Sequence, residues 1–298
     1  MPQAISISPA SDVRRIGLVV WSERVIERAE RVRERWDPDS VHDLRVALRR
    51  CRTMAEALNQ VNPDPIWRKI KKSTKRLFHS LGQLRDTQVE RDWVRRLLPP
   101  GEAVRGRLLR ALSRREQNER TASRKALKDF GTKEWNKLSR KLEDKAQLFP
   151  VESIVFQRLA LARLAEAADL FASARKKRSA VAWHRARIGL KQFRYTMENF
   201  LPRRYAMWSA DIKLLQDLLG DLHDLDVLRL DLRRQANAID PQLTDGWLAK
   251  IDEERKKRLV EIIAMTSGAS SVLQLWRSGL EIAHSINPSS PLLDRRSA

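Results

Sequence analysis

A chain of 298 residues, 42% of them hydrophobic, is long enough to bury a core, so its 59 Lys and Arg against 38 Asp and Glu do not make a disordered basic tail. The formal charge of +21 costs self-repulsion in a compact state and points to an anionic partner: nucleic acid, polyphosphate or anionic membrane. A single cysteine excludes an internal disulfide framework, no stretch reaches the roughly 18 to 20 apolar residues of a membrane span, and the N-terminal MPQAISISPASD lacks the pattern of a secretion signal, so a cytoplasmic protein is expected.

Only 10 glycines and 12 prolines occur, most of them between helix-period segments, which predicts an all-α protein. Residues 1–11 read as a disordered N-terminus and 12–36 as a first amphipathic helix. Asp37-Pro38-Asp39-Ser40 then breaks the pattern and offers Asp39 or Ser40 as the cap of a second helix, which runs to about Gln60. After the turn Asn62-Pro63-Asp64-Pro65, a helix from Trp67 through His79 and onward carries Ile66, Ile70, Leu77, Leu81 and Leu84 on one side. Pro99-Pro100-Gly101 ends it. A strongly basic helix follows from about Glu102 to Phe130, and a shorter one from Lys133 to Leu148 closes the first half.

The second half repeats this plan. His42 and His184 lie 142 positions apart, Gly82 and Gly220 138 apart, and Trp135 and Trp276 141 apart, in the same order. A nearly constant offset at three anchors marks a tandem duplication, with repeat one at about 12–149 and repeat two at about 150–286 of one domain. Two helical bundles related by a pseudo-two-fold are predicted, and 287–298 read as a disordered tail.

Both repeats carry the same cationic stripe. His42, Arg45, Arg49 and Arg52 in VHDLRVALRRCR, and His184, Arg187, Lys191 and Arg194 in WHRARIGLKQFR, sit at offsets 0, +3, +7 and +10. At about 100° per residue these fall in an arc of roughly 80° on one helix side. The opposite side is apolar: Leu44, Leu48, Cys51, Ala55 and Leu58 in the first copy, Ala186, Leu190, Phe193, Met197 and Phe200 in the second. Each stripe helix thus has a core to lie on and a cationic face to offer. If the halves pack through equivalent surfaces, the stripes line a central basic cleft or pore.

The pieces VHDLRVALRRCR, LGQLRDTQV, WHRARIGLKQFRY and LLQDLLGDLHDLDVL, in this order, resemble the CHAD family, the conserved histidine α-helical domain, over about residues 12–286. The resemblance implies a pair of four-helix bundles with a central basic channel that binds inorganic polyphosphate, in proteins that gather at polyphosphate granules, and it carries the binding role onto the eight stripe residues. A polymer with one charge per phosphate and no bases is recognised by repeated charge and donor geometry, which suits the Arg fork.

Further candidates rank below the stripes. Lys69, Lys72, Arg76 and His79 repeat the stripe spacing on the third helix; their counterparts in the second half are mostly absent, with Lys213, at the position of Lys75, the main survivor of the basic residues there. Arg50, Arg120 and Arg255 join Lys72, Lys75, Arg76, His79 and Lys213 as second-rank contacts, with Glu116, Glu119, Glu253 and Glu254 balancing part of the basic surface. Asp86 and Asp224 read as acids that fix helix packing by pairing with a cation such as Arg85, rather than as metal ligands. Trp135 and Trp276 read as core. No paired carboxylates share a stripe face, and no cofactor or metal is expected. The expected function is non-enzymatic polyphosphate binding, with a nucleic-acid-binding helical protein, which pI ≈ 10.8 alone supports, or an accessory subunit of a phosphoanhydride-processing enzyme as alternatives.

Overall fold

The computed structural model describes residues 17–146, 150–235 and 241–285, and among them it is built of α-helices without a strand. Residues 1–11 and 287–298, read above as disordered, lie outside the described residues. The first repeat gives α1 (Leu18–Glu34), α2 (Pro38–Val61), α3 (Pro65–Leu97), α4 (Ala103–Lys128) and α5 (Thr132–Ala146). The second gives α6 (Ile154–Lys177), α7 (Ala180–Phe200), α8 (Pro202–Gln235), α9 (Pro241–Thr266) and α10 (Val272–Ser285).

The helix starts show why these segments fold as they do. Asp37, not Asp39 or Ser40, caps α2: its Oδ1 accepts from the Ser40 amide at 2.8 Å, and Pro38 stands in the first turn. A proline costs nothing at the first helical position, where the missing N–H has no partner anyway, so the helix begins earlier than the Asp-Ser signal suggests. The amide and hydroxyl of Ser40 hold the Asp37 carboxyl down at about 2. Asp64 and Pro65 repeat the device at α3, where Asp64 accepts from the Ile66 amide at 2.8 Å.

Contacts divide the chain into two compact units, Met1–Pro150 with Gly220–Leu259, and Val151–Leu219 with Val260–Ala298. The units therefore cut across the repeats: the end of α8 and the start of α9 belong with the first repeat. Their apolar faces explain it. Leu225, Leu228 and Leu232 of α8 and Trp247 and Ile251 of α9 form one buried cluster with Trp93, Val94 and Leu98 at the end of α3 and Val104, Leu108 and Leu112 of α4. The pseudo-equivalent ends of two long hairpins bury each other.

Elsewhere in the first unit, α1 packs on α2, α2 on α3, α3 on α5 and α5 back on α1, a closed ring of four helices. Trp135 of α5 is 2% exposed and donates through Nε1 to the Ser22 carbonyl of α1 at 2.9 Å. In the second unit α6 packs on α7 and α10. There Trp276 is fully buried and stacks on Phe193 at 5.4 Å, while Phe156 stacks on Phe200 at 4.0 Å. Both repeat tryptophans are core residues, and Cys51 is buried among aliphatic neighbours of α2.

Candidate functional site

The apolar side of each stripe helix lies where its period places it. Leu44, Leu48, Cys51 and Ala55 are sealed from solvent with Leu58 at 2%, and Ala186, Leu190, Phe193 and Met197 are sealed with Phe200 at 3%. The cations opposite are exposed at His42 and half-buried at Arg45, Arg49, Arg52, His184, Arg187, Lys191 and Arg194. Half-burial rests the aliphatic stems on the core, while the heads of Arg52 and Arg194 bond to the next helix and the Nε atoms of Arg49, Arg187 and Arg194 are sealed from solvent.

In the first unit α2 and α3 bring further groups to this face. The Arg45 guanidinium lies 5.0 Å from the Phe78 ring centroid and crosses Gly82, where an added Cβ would come 3.0 Å from its Nη1. Arg52 lies 5.1 Å from the centroid of the same ring and donates to the Lys71 carbonyl and to Thr74 Oγ1 at 3.0 Å. Phe78 therefore holds two stripe arginines in place. At the far end, packing around the His42 ring, followed by the charges of Arg85, Arg49 and Arg45, keeps its pKa below the ordinary histidine value, with Asp43 opposing. The three guanidiniums add a positive field to the effect of burial at this end of the stripe.

Arg85 was missed as a member of this face. The sequence reading paired it with Asp86, whereas in the structure Arg85 charges the His42 end and Asp86 lines a different recess. The signal was available in an antiparallel α2–α3 hairpin: Lys71, Thr74, Phe78, Gly82 and Arg85 recur at three- and four-residue spacing, the stripe period read in reverse.

The second stripe is built similarly on α7. Arg194 donates to Gln216 of α8 at 2.6 Å and lies 3.8 Å from Glu198. Gln216 stands at the repeat position of Phe78, so the last stripe arginine is fixed against the next helix in both copies, by a ring in one and an amide in the other. The Arg187 Nε is sealed from solvent.

The second-rank candidates divide. Lys72, Lys75, His79 and Lys213 are exposed, and so is Arg76, which pairs with Asp129 at 2.7 Å and thus turns toward the end of α4. Lys69 lines a recess with Lys137, Lys141 and Lys145 of α5. The Lys69–Lys72–Arg76–His79 row does not continue the α2 stripe. Arg50 and Arg24 both lie over the Trp21 ring, at 4.3 and 4.5 Å from its centroid, outside the stripe. Arg120 donates to the Trp36 carbonyl at 3.2 Å, tying α4 to the α1–α2 connection, and Arg255 is held by Asp226 at 2.6 Å and Asp252 at 3.7 Å, tying α9 to α8.

Asp86 and Asp224, equivalent by repeat, converge on one cavity of about 200 Å³ in the first unit, beside Glu90, Arg115, Glu119 and His223. Arg115 is the hub: it donates to Glu90 and, at 2.9 Å each, to Asp231 and Thr87 Oγ1. Burial, then Asp231, pushes the Glu90 carboxyl up to about 8 against the pull of Arg115. Burial also raises Glu119 and Asp226. Among the described residues no group of three or more His, Cys, Asp or Glu is placed to hold a metal ion, and no helix is long and apolar enough to cross a membrane.

Comparison with known proteins gives two findings. The sequence profile described as CHAD domain matches residues 23–233. A solved structure, the crystal structure of the CHAD domain from the plant Ricinus communis, superposes with a TM-score of 0.56 at 23% identity, covering 94% of this chain and 95% of that one, which shows a shared fold. No curated protein matches the chain.

Proposed function

The chain belongs to the CHAD domain family, and from that premise we propose that it is a non-enzymatic binding module for inorganic polyphosphate, held on the stripes His42, Arg45, Arg49, Arg52 and His184, Arg187, Lys191, Arg194. The observation that supports the reading is the gathering of cations on one face of the α2–α3 pair: Arg45 and Arg52 are held over the Phe78 ring, and Arg85 joins Arg49 and Arg45 in charging the His42 end. Such a concentration of fixed cations repels itself, and an anion of matching charge density relieves that repulsion. Arginines pinned by Phe78 present forks in set directions, which suits phosphate oxygens that recur along a polymer. A channel lined by both stripes, and recruitment to polyphosphate granules, belong to the same proposal.

The test is competition. Labelled long-chain polyphosphate is bound to the purified protein at near-physiological salt and displaced with unlabelled polyphosphate, double-stranded DNA, RNA or ATP. Selective displacement by polyphosphate supports the module; equal displacement by DNA or RNA sinks it in favour of a nucleic-acid binder. Phosphate release from polyphosphate by the protein alone would overturn the non-enzymatic part.

A further inference from the structure

The outer face of α4 carries a second concentration of charge, on a different helix from either stripe. Arg107, Arg110, Arg114, Arg124, Lys125 and Lys128 are all exposed. At about 100° per residue they fall within an arc of roughly 100°, and at about 1.5 Å per residue the ridge from Arg107 to Lys128 is about 31 Å long.

Solvated helix faces ordinarily intersperse both signs, and Glu116 and Glu119 are the acids that the sequence offers inside α4 to do so. Neither stands on the ridge: at about 100° per residue both fall toward the side of Leu108 and Leu112, and the structure turns them inward there. Glu116 is 18% exposed and pairs with Arg91 of α3, with Gln88 donating to it at 3.3 Å. Glu119 is also 18% exposed and lies 4.0 Å from Arg115 on the inner side. The remaining exposed residues of α4 are alanine, serine, threonine, asparagine and glutamine, so from 103 to 128 no carboxylate is exposed. Arg124 is stacked 5.3 Å over Trp36, which fixes the plane of its guanidinium. No aromatic is exposed on the ridge, so it offers no platform on which a nucleobase could stack.

We propose that the α4 ridge is a second binding site for inorganic polyphosphate in addition to the stripe on α2, so that one molecule engages the polymer at two sites and bridges chains. The bridging rests on the stripe reading; the ridge site does not. Two-site binders link long polymers into networks, whereas a short oligophosphate that reaches one surface is bound without linkage.

The experiment uses the full chain. A ridge variant, Arg110→Gln, Arg114→Gln, Arg124→Gln, Lys125→Gln and Lys128→Gln, removes charge while keeping residues of similar helix propensity. A stripe variant, Arg45→Gln with Arg49→Gln, serves as the complement. Light scattering is followed as long-chain polyphosphate or tripolyphosphate is added, alongside binding of labelled long chain. The wild type is expected to scatter with long chain only. The ridge variant should lose that scattering by about tenfold or more while keeping its tightest binding phase, and the stripe variant should keep a weaker phase with a steep salt dependence.

Ridge-variant scattering equal to wild type overturns the proposal. So does preferential displacement of polyphosphate from the stripe variant by double-stranded DNA, which would make the ridge a nucleic-acid surface. If the stripe variant binds like wild type while the ridge variant loses all affinity, the stripe reading fails and the ridge stands. Should the fivefold variant not fold, by circular dichroism, Arg110→Gln with Arg114→Gln is read in its place.

Discussion

The Arg45 guanidinium occupies the space that Gly82 leaves by having no side chain. A Cβ at Gly82 would meet Arg45 Nη1 at 3.0 Å, whereas one at Gly220, the repeat equivalent, would meet nothing within 4 Å. The same glycine of the duplicated motif thus serves a cation directly in the first copy. With Phe78 beneath and Gly82 beside it, Arg45 is positioned by α3 although it belongs to α2.

Gly82→Ala is therefore expected to separate stability from binding. The clash falls on the end of a flexible side chain, which moves cheaply, and alanine favours the helix by roughly 0.5–1 kcal/mol over glycine. Melting temperature should hold or rise while polyphosphate affinity falls several-fold. Gly220→Ala should raise the melting temperature and leave affinity unchanged; equal effects of the two on binding would refute the role of Gly82.

Gly279 makes the opposite case. A Cβ there would lie 2.5 Å from Cζ2 of Trp208, a ring only 7% exposed, so a core indole would have to shift. Gly279→Ala is expected to cost about 1–3 kcal/mol, as overpacking does, measured by urea unfolding. Gly106→Ala, where only Arg110 Nη1 approaches, at 3.4 Å, is the contrasting substitution and should be neutral or stabilising.

How much of this was legible beforehand follows from what each signal depends on. Helix period alone placed Leu44, Leu48, Cys51 and their second-copy counterparts in the core, and the constant offset placed Trp135 and Trp276 there too. Arg85 was not found, because its neighbour His42 belongs to another helix and only the α2–α3 pairing brings them together. The grouping of α8 and α9 ends with the first repeat escaped for a similar reason. Leu225, Leu228 and Trp247 look like any apolar face, and nothing local says that their partners are Trp93 and Leu108. Glu116 and Glu119 have the spacing of surface ion pairs, but the helix period already puts them toward the side of Leu108 and Leu112, and the structure shows both turned inward.

Glu90 makes folding stability depend on pH. It and Asp231 share the Arg115 guanidinium, and Glu90 is only 3% exposed, so its proton is held up to about 8 against an ordinary carboxyl value near 4.3. A raised folded-state value means that the folded protein binds the proton more tightly. Stability should be greatest below about pH 4.3 as far as this group is concerned, fall as pH rises toward 8, and level off above. Urea unfolding at pH 5, 6.5 and 8.5 should show a decline of a few kcal/mol that Glu90→Gln reduces. An identical slope in the variant would mean that Glu119 or Asp226, raised in the same direction, carries the effect.

His42 gives binding a pH dependence of its own. In the free protein its value is depressed by packing and by Arg85, Arg49 and Arg45. The folded form thus disfavours the proton, so the stability this group contributes is present above the ordinary value near 6.5 and lost as pH falls below it. A bound polyanion offsets those three charges and raises the pKa, so binding takes up a proton. Affinity for polyphosphate should then increase as pH falls from 7.5 to 5.5, by up to about tenfold for each unit by which the ligand shifts the group. His42→Gln should flatten this response at constant salt while leaving most of the affinity at pH 7.5, where the ring is neutral in the free protein. If the slope survives in the variant, His184 is the group to substitute next, and if neither substitution changes it the protons are taken up elsewhere.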